Sequence, residues 1–273
     1  MATGASGTLC AHRAQTGTAI RPSPSSGSTA IVVVSLVSTS GGCGRSTLVA
    51  GLADALHRRG RPVLAVDFDP ANLLAQQLGA ETQPAHGIAT TDDWTRTALA
   101  NSEGVRVVPF GILDPSALLH FEQQLVTHAN WLRSRLDEAA LADDTVVLVD
   151  TPRLPSPLAW HAAATADHVL TVLVAEPVAY AALDRLPTPG AARAHYVVNA
   201  FEPQRTVQQD VLLLLRERLG VGLVRSVVHR DAAVAEALAR NRALLDDAPY
   251  SQAAEDLQYL CSWLLRTIDE AHP

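Results

Sequence analysis

A chain of 273 residues with 48% apolar and 18% charged residues is long enough to bury a full α/β core. Its net charge of −7 argues against broad nucleic-acid binding through phosphate neutralisation. No apolar run approaches the ~20 residues that a membrane-crossing helix needs.

All 21 basic residues are arginine, so every basic site in this chain must use a guanidinium. Cys10, Cys43 and Cys261 are odd in number and widely spaced, which gives neither a disulfide framework nor a metal-ligand pattern. The ten histidines have no metal-ligand spacing either.

Residues 1–30 are rich in Ala, Ser, Thr and Gly, lack acidic residues and have no helical periodicity. They read as a disordered extension preceding a single domain over 31–273. Strands are expected at 31–37, 63–67, 105–109, 145–149, 168–174, 195–199 and 223–228. Their near-continuous Val, Leu and Ile content suits strands covered on both faces. Helices are expected at 46–59, 116–140, 158–165, 206–219, 231–240 and 251–268, with a loop and a short helix in 177–190. This alternation predicts an α/β fold, a doubly wound and mostly parallel sheet with helices on both faces.

The first strand leads into Gly41-Gly42-Cys43-Gly44-Arg45-Ser46-Thr47 and then a helix. Strand, glycine loop and helix in that order form a phosphate-binding loop, in which backbone N–H groups and the helix N-terminus meet phosphate oxygens. Ser46 is placed to hold Mg²⁺ and Thr47 to reach the α-phosphate, while Cys43 fills a position for a small residue. Arg45 stands where such a loop expects lysine.

The second strand ends in Asp67-Phe68-Asp69-Pro70. Acids two residues apart point the same way along a strand, and ligands bind at the carboxyl ends of such strands. Asp67 is assigned to Mg²⁺ through water, and Asp69 to positioning an attacking water. The run 146–149 ends in Asp150-Thr151-Pro152, an apolar strand whose terminal carboxylate holds Mg²⁺ through water. Asn199 ends a later strand, where an amide can both donate to and accept from an adenine edge, or simply serve a turn. His229-Arg230-Asp231 has the letters of a kinase motif, but no DFG follows it and no lysine exists. Asp231 is expected to cap the helix at 232–240.

Together these stretches resemble the MinD/ParA family of deviant-Walker P-loop ATPases. Ser40 to Thr47 matches the loop, Asp67 to Pro70 switch I, and Asp150 to Pro152 switch II. Asn72-Leu73-Leu74, Val108-Pro109-Phe110-Gly111, Asp150-Thr151-Pro152-Arg153 and the stretch from His229 to Leu238 are similar to the BcsQ branch, encoded with bacterial cellulose synthase. The resemblance runs from about 31 to 266.

It implies a homodimer with two sandwiched ATP molecules and Mg²⁺, and a partnership with BcsR, BcsE and the cytoplasmic face of the membrane synthase. It implies a cytoplasmic protein recruited to the inner membrane face, without nucleic acid. The family's signature lysine falls at Ser40 and its second lysine at Arg45, so this chain lacks both. One charge-assisted hydrogen bond is worth roughly 1.5–3 kcal/mol, so ATP binding is expected to survive these changes. Hydrolysis is expected to be slow or absent, with Arg153 or Arg230 as replacements for the missing charge. An active positioning ATPase and a nucleotide-free scaffold are the alternatives. The final helix, with Leu257, Leu260, Trp263, Leu264 and Ile268, is expected to pack on the core.

Overall fold

The computed structural model describes residues 31–80, 85–139, 141–186 and 192–271. The expected extension at 1–30 lies outside the described residues. Among the described residues seven strands form one sheet: β1 (Val32–Val37), β2 (Val63–Asp67), β3 (Leu99–Ala100), β4 (Arg106–Val108), β5 (Val146–Asp150), β6 (His168–Val174) and β7 (Arg193–Asn199). Their spatial order is β3-β4-β2-β5-β1-β6-β7, parallel throughout except for the short pair β3–β4.

The helices are α1 (Arg45–Arg58), α2 (Leu74–Gln77), α3 (Pro115–Thr127), α4 (Trp131–Glu138), α5 (Pro157–Thr165), α6 (Pro177–Ala181), α7 (Thr206–Leu219), α8 (Ala232–Ala239), α9 (Leu244–Asp247) and α10 (Gln252–Ala271). Among the described residues no helix is long and apolar enough to cross a membrane.

Side chains alternate across the central strands, so one sequence run supplies two cores. Val32, Val34 and Leu36 face the layer containing α1 and α10. Val33 and Val37 face the opposite layer, with α3, α4 and α5. The last helix packs as expected: Leu257, Leu260, Leu264 and Ile268 are all buried. Each such burial is worth ~1.5–3 kcal/mol, which fixes α10 to the body of the fold.

Three expectations change. The helix over 116–140 is two helices, broken at 128–130. Phe121 and Trp131 pack edge to face at 5.0 Å. In a continuous helix they would stand about 15 Å apart along the axis, so the break serves the aromatic cluster. The segment 223–228 is not a ladder strand. It touches β7 through a single bridge, Leu223 to Tyr196, with Val224 and Val228 donating to the carbonyls of Tyr196 and Val198 at 2.8 and 2.9 Å. A bend at Arg225 and Ser226 interrupts it. Finally, β3 was not expected, because two residues are too few to leave a pattern.

Candidate functional site

The carboxyl ends of β1, β2, β5 and β7 converge on the glycine loop. Gly42 and Gly44 adopt left-handed backbone angles, φ 67° and 84°. A Cβ on Gly44 would stand 2.3 Å from Asn199 Nδ2, so no side chain fits there. A Cβ on Gly41 or Gly42 would meet nothing within 4 Å, which leaves the crown of the loop open. Helix α1 begins directly behind it without a side-chain cap or an acidic residue in its first turn. Its positive end therefore faces the loop uncompensated, as an anion site requires. Cys43 is buried in the core beneath, in keeping with a small packing residue.

Parallel pairing of β2 with β5 sets Asp67 beside Asp150 in register. Both oxygens of Asp67 accept loop amides, from Asp69 at 3.1 Å and Leu74 at 2.9 Å. Burial, reinforced by the Asp150 charge, pushes its carboxyl well above the usual range. Asp67 thus braces the turn from β2 into α2, a role the sequence reading did not assign. Asp69 Oδ1 accepts the Ala71 amide at 2.9 Å, while Oδ2 lies 3.4 Å from Arg45 Nη2.

The Asp150 carboxyl is pushed up to about 6 by burial, against the opposing pull of the Ser46 hydroxyl and the Arg45 charge. Its Oδ1 is buried without a hydrogen-bond partner, and so is Arg45 Nε, 3.7 Å away. An orphaned carboxylate oxygen beside a serine hydroxyl matches the hard oxygen donors and water shell that Mg²⁺ prefers. Ser46 and Asp150 therefore fit the ion.

Arg45 itself turns toward the acids. Its Nη1 donates to the Ser38 hydroxyl, Nη2 to Asp69, and Nε faces Asp150. One guanidinium thus bridges the loop, the end of β2 and the end of β5, and its side chain is only 10% exposed. The planar fork makes this possible, because its donors are spread over three separate nitrogens while an ammonium gathers its donors on one. Ser40 presents its carbonyl to the Ser38 hydroxyl at 2.9 Å and carries no charge.

Beyond the loop lies a cavity of about 520 Å³ walled by Thr47, Asn199 and the stretch from Val228 to Ala232. Asn199 Nδ2 donates to the Cys43 carbonyl at 2.7 Å, so this amide braces the glycine loop. Its second N–H and its Oδ1 remain for a ligand. The far wall is stapled. Asp231 caps α8 by accepting the Ala233 amide at 2.9 Å, as expected, and also accepts the Ala253 amide at 3.1 Å. Asp256 accepts both the His229 amide and its ring nitrogen at 2.8 Å.

Sequence reasoning missed Asp256. The available signal was an acid within the otherwise apolar stripe Ala253, Ala254, Leu257 and Leu260. Of the two arginines considered as replacement charges, Arg230 lies 3.5 Å from Glu202. Arg153 is exposed and has no hydrogen bond or ion pair among the described residues.

Comparison with known proteins matches residues 31–265 to the family model of cellulose biosynthesis protein BcsQ. Cellulose biosynthesis protein BcsQ of Escherichia coli is 28% identical over 244 residues, covering 86% of this chain and 94% of that protein. Among solved structures, the cell division ATPase MinD of Pyrococcus furiosus superposes with a TM-score of 0.67 at 22% identity, covering 86% and 99%. Cobyrinic acid a,c-diamide synthase of Mycobacterium smegmatis, solved with an ATP analogue and magnesium, gives 0.70 at 19%, covering 89% and 98%. The fold is therefore that of the MinD-like P-loop proteins.

Proposed function

Because the chain belongs to the BcsQ family of cellulose biosynthesis proteins, we propose that it is an ATP- and Mg²⁺-binding switch for a bacterial cellulose secretion complex. Two copies would sandwich two nucleotides, and the dimer would support assembly, localisation or activation of the synthase with slow or absent hydrolysis. The observation that carries this reading is the pairing of an intact Mg²⁺ donor set with a loop cation already engaged. Ser46 meets Asp150 beside an open glycine loop, while the only charged side chain of the loop is held by Asp69 and Asp150.

Phosphates would bind the loop amides and the N-terminus of α1. The base would enter the cavity between Asn199 and the stapled 228–232 wall. When bound, Mg²⁺ would supply charge neutralisation between the phosphates and Asp150. Asp67 would serve the ion only indirectly, by holding Asp69 and the following turn.

Transition-state stabilisation in this family layout needs a cation from the partner copy. Ser40 offers none. Arg153, one residue beyond the switch II proline and unpaired, is the better placed replacement, since Arg230 is drawn to Glu202. BcsR and BcsE are the proposed partners at the cytoplasmic face of the synthase. An active positioning ATPase is favoured by one feature only, the retained Asp69 with its Oδ2 toward the loop.

Mass-resolved oligomeric state with ADP, ATP and a non-hydrolysable analogue tests the switch. ATP-dependent dimers with little phosphate release are expected. Robust turnover that Asp69→Ala abolishes would transfer the reading to the positioning ATPase, and absence of any nucleotide effect would leave a scaffold.

A further inference from the structure

A second concave surface lies along the sheet edge, away from the glycine loop. It is a groove of about 790 Å³ between the end of α7, the segment 220–226 and the outer face of α10. Three arginines line it, one from each wall: Arg216, Arg225 and Arg266. All three are exposed, and none of their side chains has a hydrogen bond or ion pair among the described residues. Among the described residues no carboxylate lines the groove.

Unpaired arginines occur elsewhere, Arg153 among them, but these three share one groove. Arg58, Arg133, Arg135, Arg205, Arg218 and Arg240 are all paired with acids. Three unpaired positive charges sharing one groove make a locally positive surface in a chain of net charge −7. That surface attracts an anionic occupant.

The floor is aromatic. Tyr259 and Trp263 stand four residues apart, hence on one face of α10, and Val221 projects fully exposed at the lip. Trp263 is fixed edge to face against His195 at 5.1 Å, and His195 in turn stacks on His168. The floor is therefore a rigid apolar platform.

We propose that this groove docks an acidic segment of a partner protein, with carboxylates on Arg216, Arg225 and Arg266 and an apolar side chain against Tyr259 and Trp263. Guanidinium forks recognise carboxylates in bidentate geometry, and Arg, Tyr and Trp dominate the energetics of protein interfaces. Nucleic acid is disfavoured because three contacts release few counterions and the rest of the chain repels a polyanion. A lipid bilayer is disfavoured because the surface is concave. The groove shares no lining residue with the base cavity.

The test uses the full chain and a fluorescein-labelled peptide of alternating Asp and Glu around a central Leu-Phe pair, followed by anisotropy. We expect saturable binding that weakens with salt. Arg225→Glu with Arg266→Glu should weaken it by about tenfold or more, as expected for reversing charges at an interface. Both side chains are exposed, so melting temperature and Mg-ATP affinity should stay unchanged in that variant. Trp263→Ala should weaken the peptide while leaving its salt dependence intact. Absence of saturable binding, equal binding by the double charge reversal, or preference for phosphatidylglycerol vesicles or single-stranded DNA at matched salt would each overturn the proposal.

Discussion

The two ends of the candidate nucleotide site are built on opposite principles. At the phosphate end one cation, Arg45, is held among three acids, Asp67, Asp69 and Asp150, and Asp150 Oδ1 is left without a hydrogen-bond partner. At the base end the cavity is held open from outside, by Asp231 and Asp256 tying the 229–231 stretch to the first turn of α10. The first end is closed by charge and the second is shaped by caps. A ligand must therefore compete with internal partners at one end and only fill space at the other.

The comparison can be broken hardest at Asp150. Asp150→Ala removes the carboxylate of the Mg²⁺ donor set and leaves Arg45 with a single acid. A charge-assisted contact to the bound ion is worth roughly 1.5–3 kcal/mol. Titration calorimetry with and without Mg²⁺ should therefore show nucleotide affinity falling by about ten- to a hundredfold and losing its Mg²⁺ dependence. Unchanged Mg²⁺ dependence would remove Asp150 from the site.

Asp231→Ala attacks the other end. It removes the cap of α8 and the link to Ala253, so stability should fall by about 1–2 kcal/mol, read as the midpoint of denaturant unfolding. Nucleotide binding should weaken for the base more than for the phosphates, seen as a larger loss for AMP than for pyrophosphate. Equal losses would mean that the two ends are one unit.

Asn199→Ala lies at the junction, where the amide holds the Cys43 carbonyl. Loss of one buried hydrogen bond should cost about 1 kcal/mol, with a several-fold loss of ATP affinity by calorimetry. The smallest effect is expected for Arg45→Lys. An ammonium keeps the charge but cannot bridge Ser38, Asp69 and Asp150 together, so Mg-ATP affinity should change only a few-fold, and upward if the bridge competes with the ligand. A strong loss of affinity would show instead that the guanidinium binds phosphate directly.

Much of this was legible in the sequence, for local reasons. Gly42 and Gly44 read as a phosphate loop because glycine is the residue that tolerates their backbone angles. The acids at 67 and 150 read as strand-end ligands because apolar runs stop at them. The Asp231 cap followed from its position before an alanine-rich helix. The helix break at 128–130 was not legible, because its cause is the packing of Trp131 against Phe121 across the sheet face. The bend at Arg225 was hidden inside an apolar run that resembles any strand.

The sequence by itself determined the alternation of strands and helices, the glycine loop and the residues gathered at its end, since each depends on neighbours a few positions apart. Only the tertiary structure decided what those residues do to one another. Arg45 finds Ser38, Asp69 and Asp150 because β1, β2 and β5 pair side by side, and Asp256 reaches His229 because α10 returns across α1. Partner choice for a charge is set by distance in space, and chain order does not encode it.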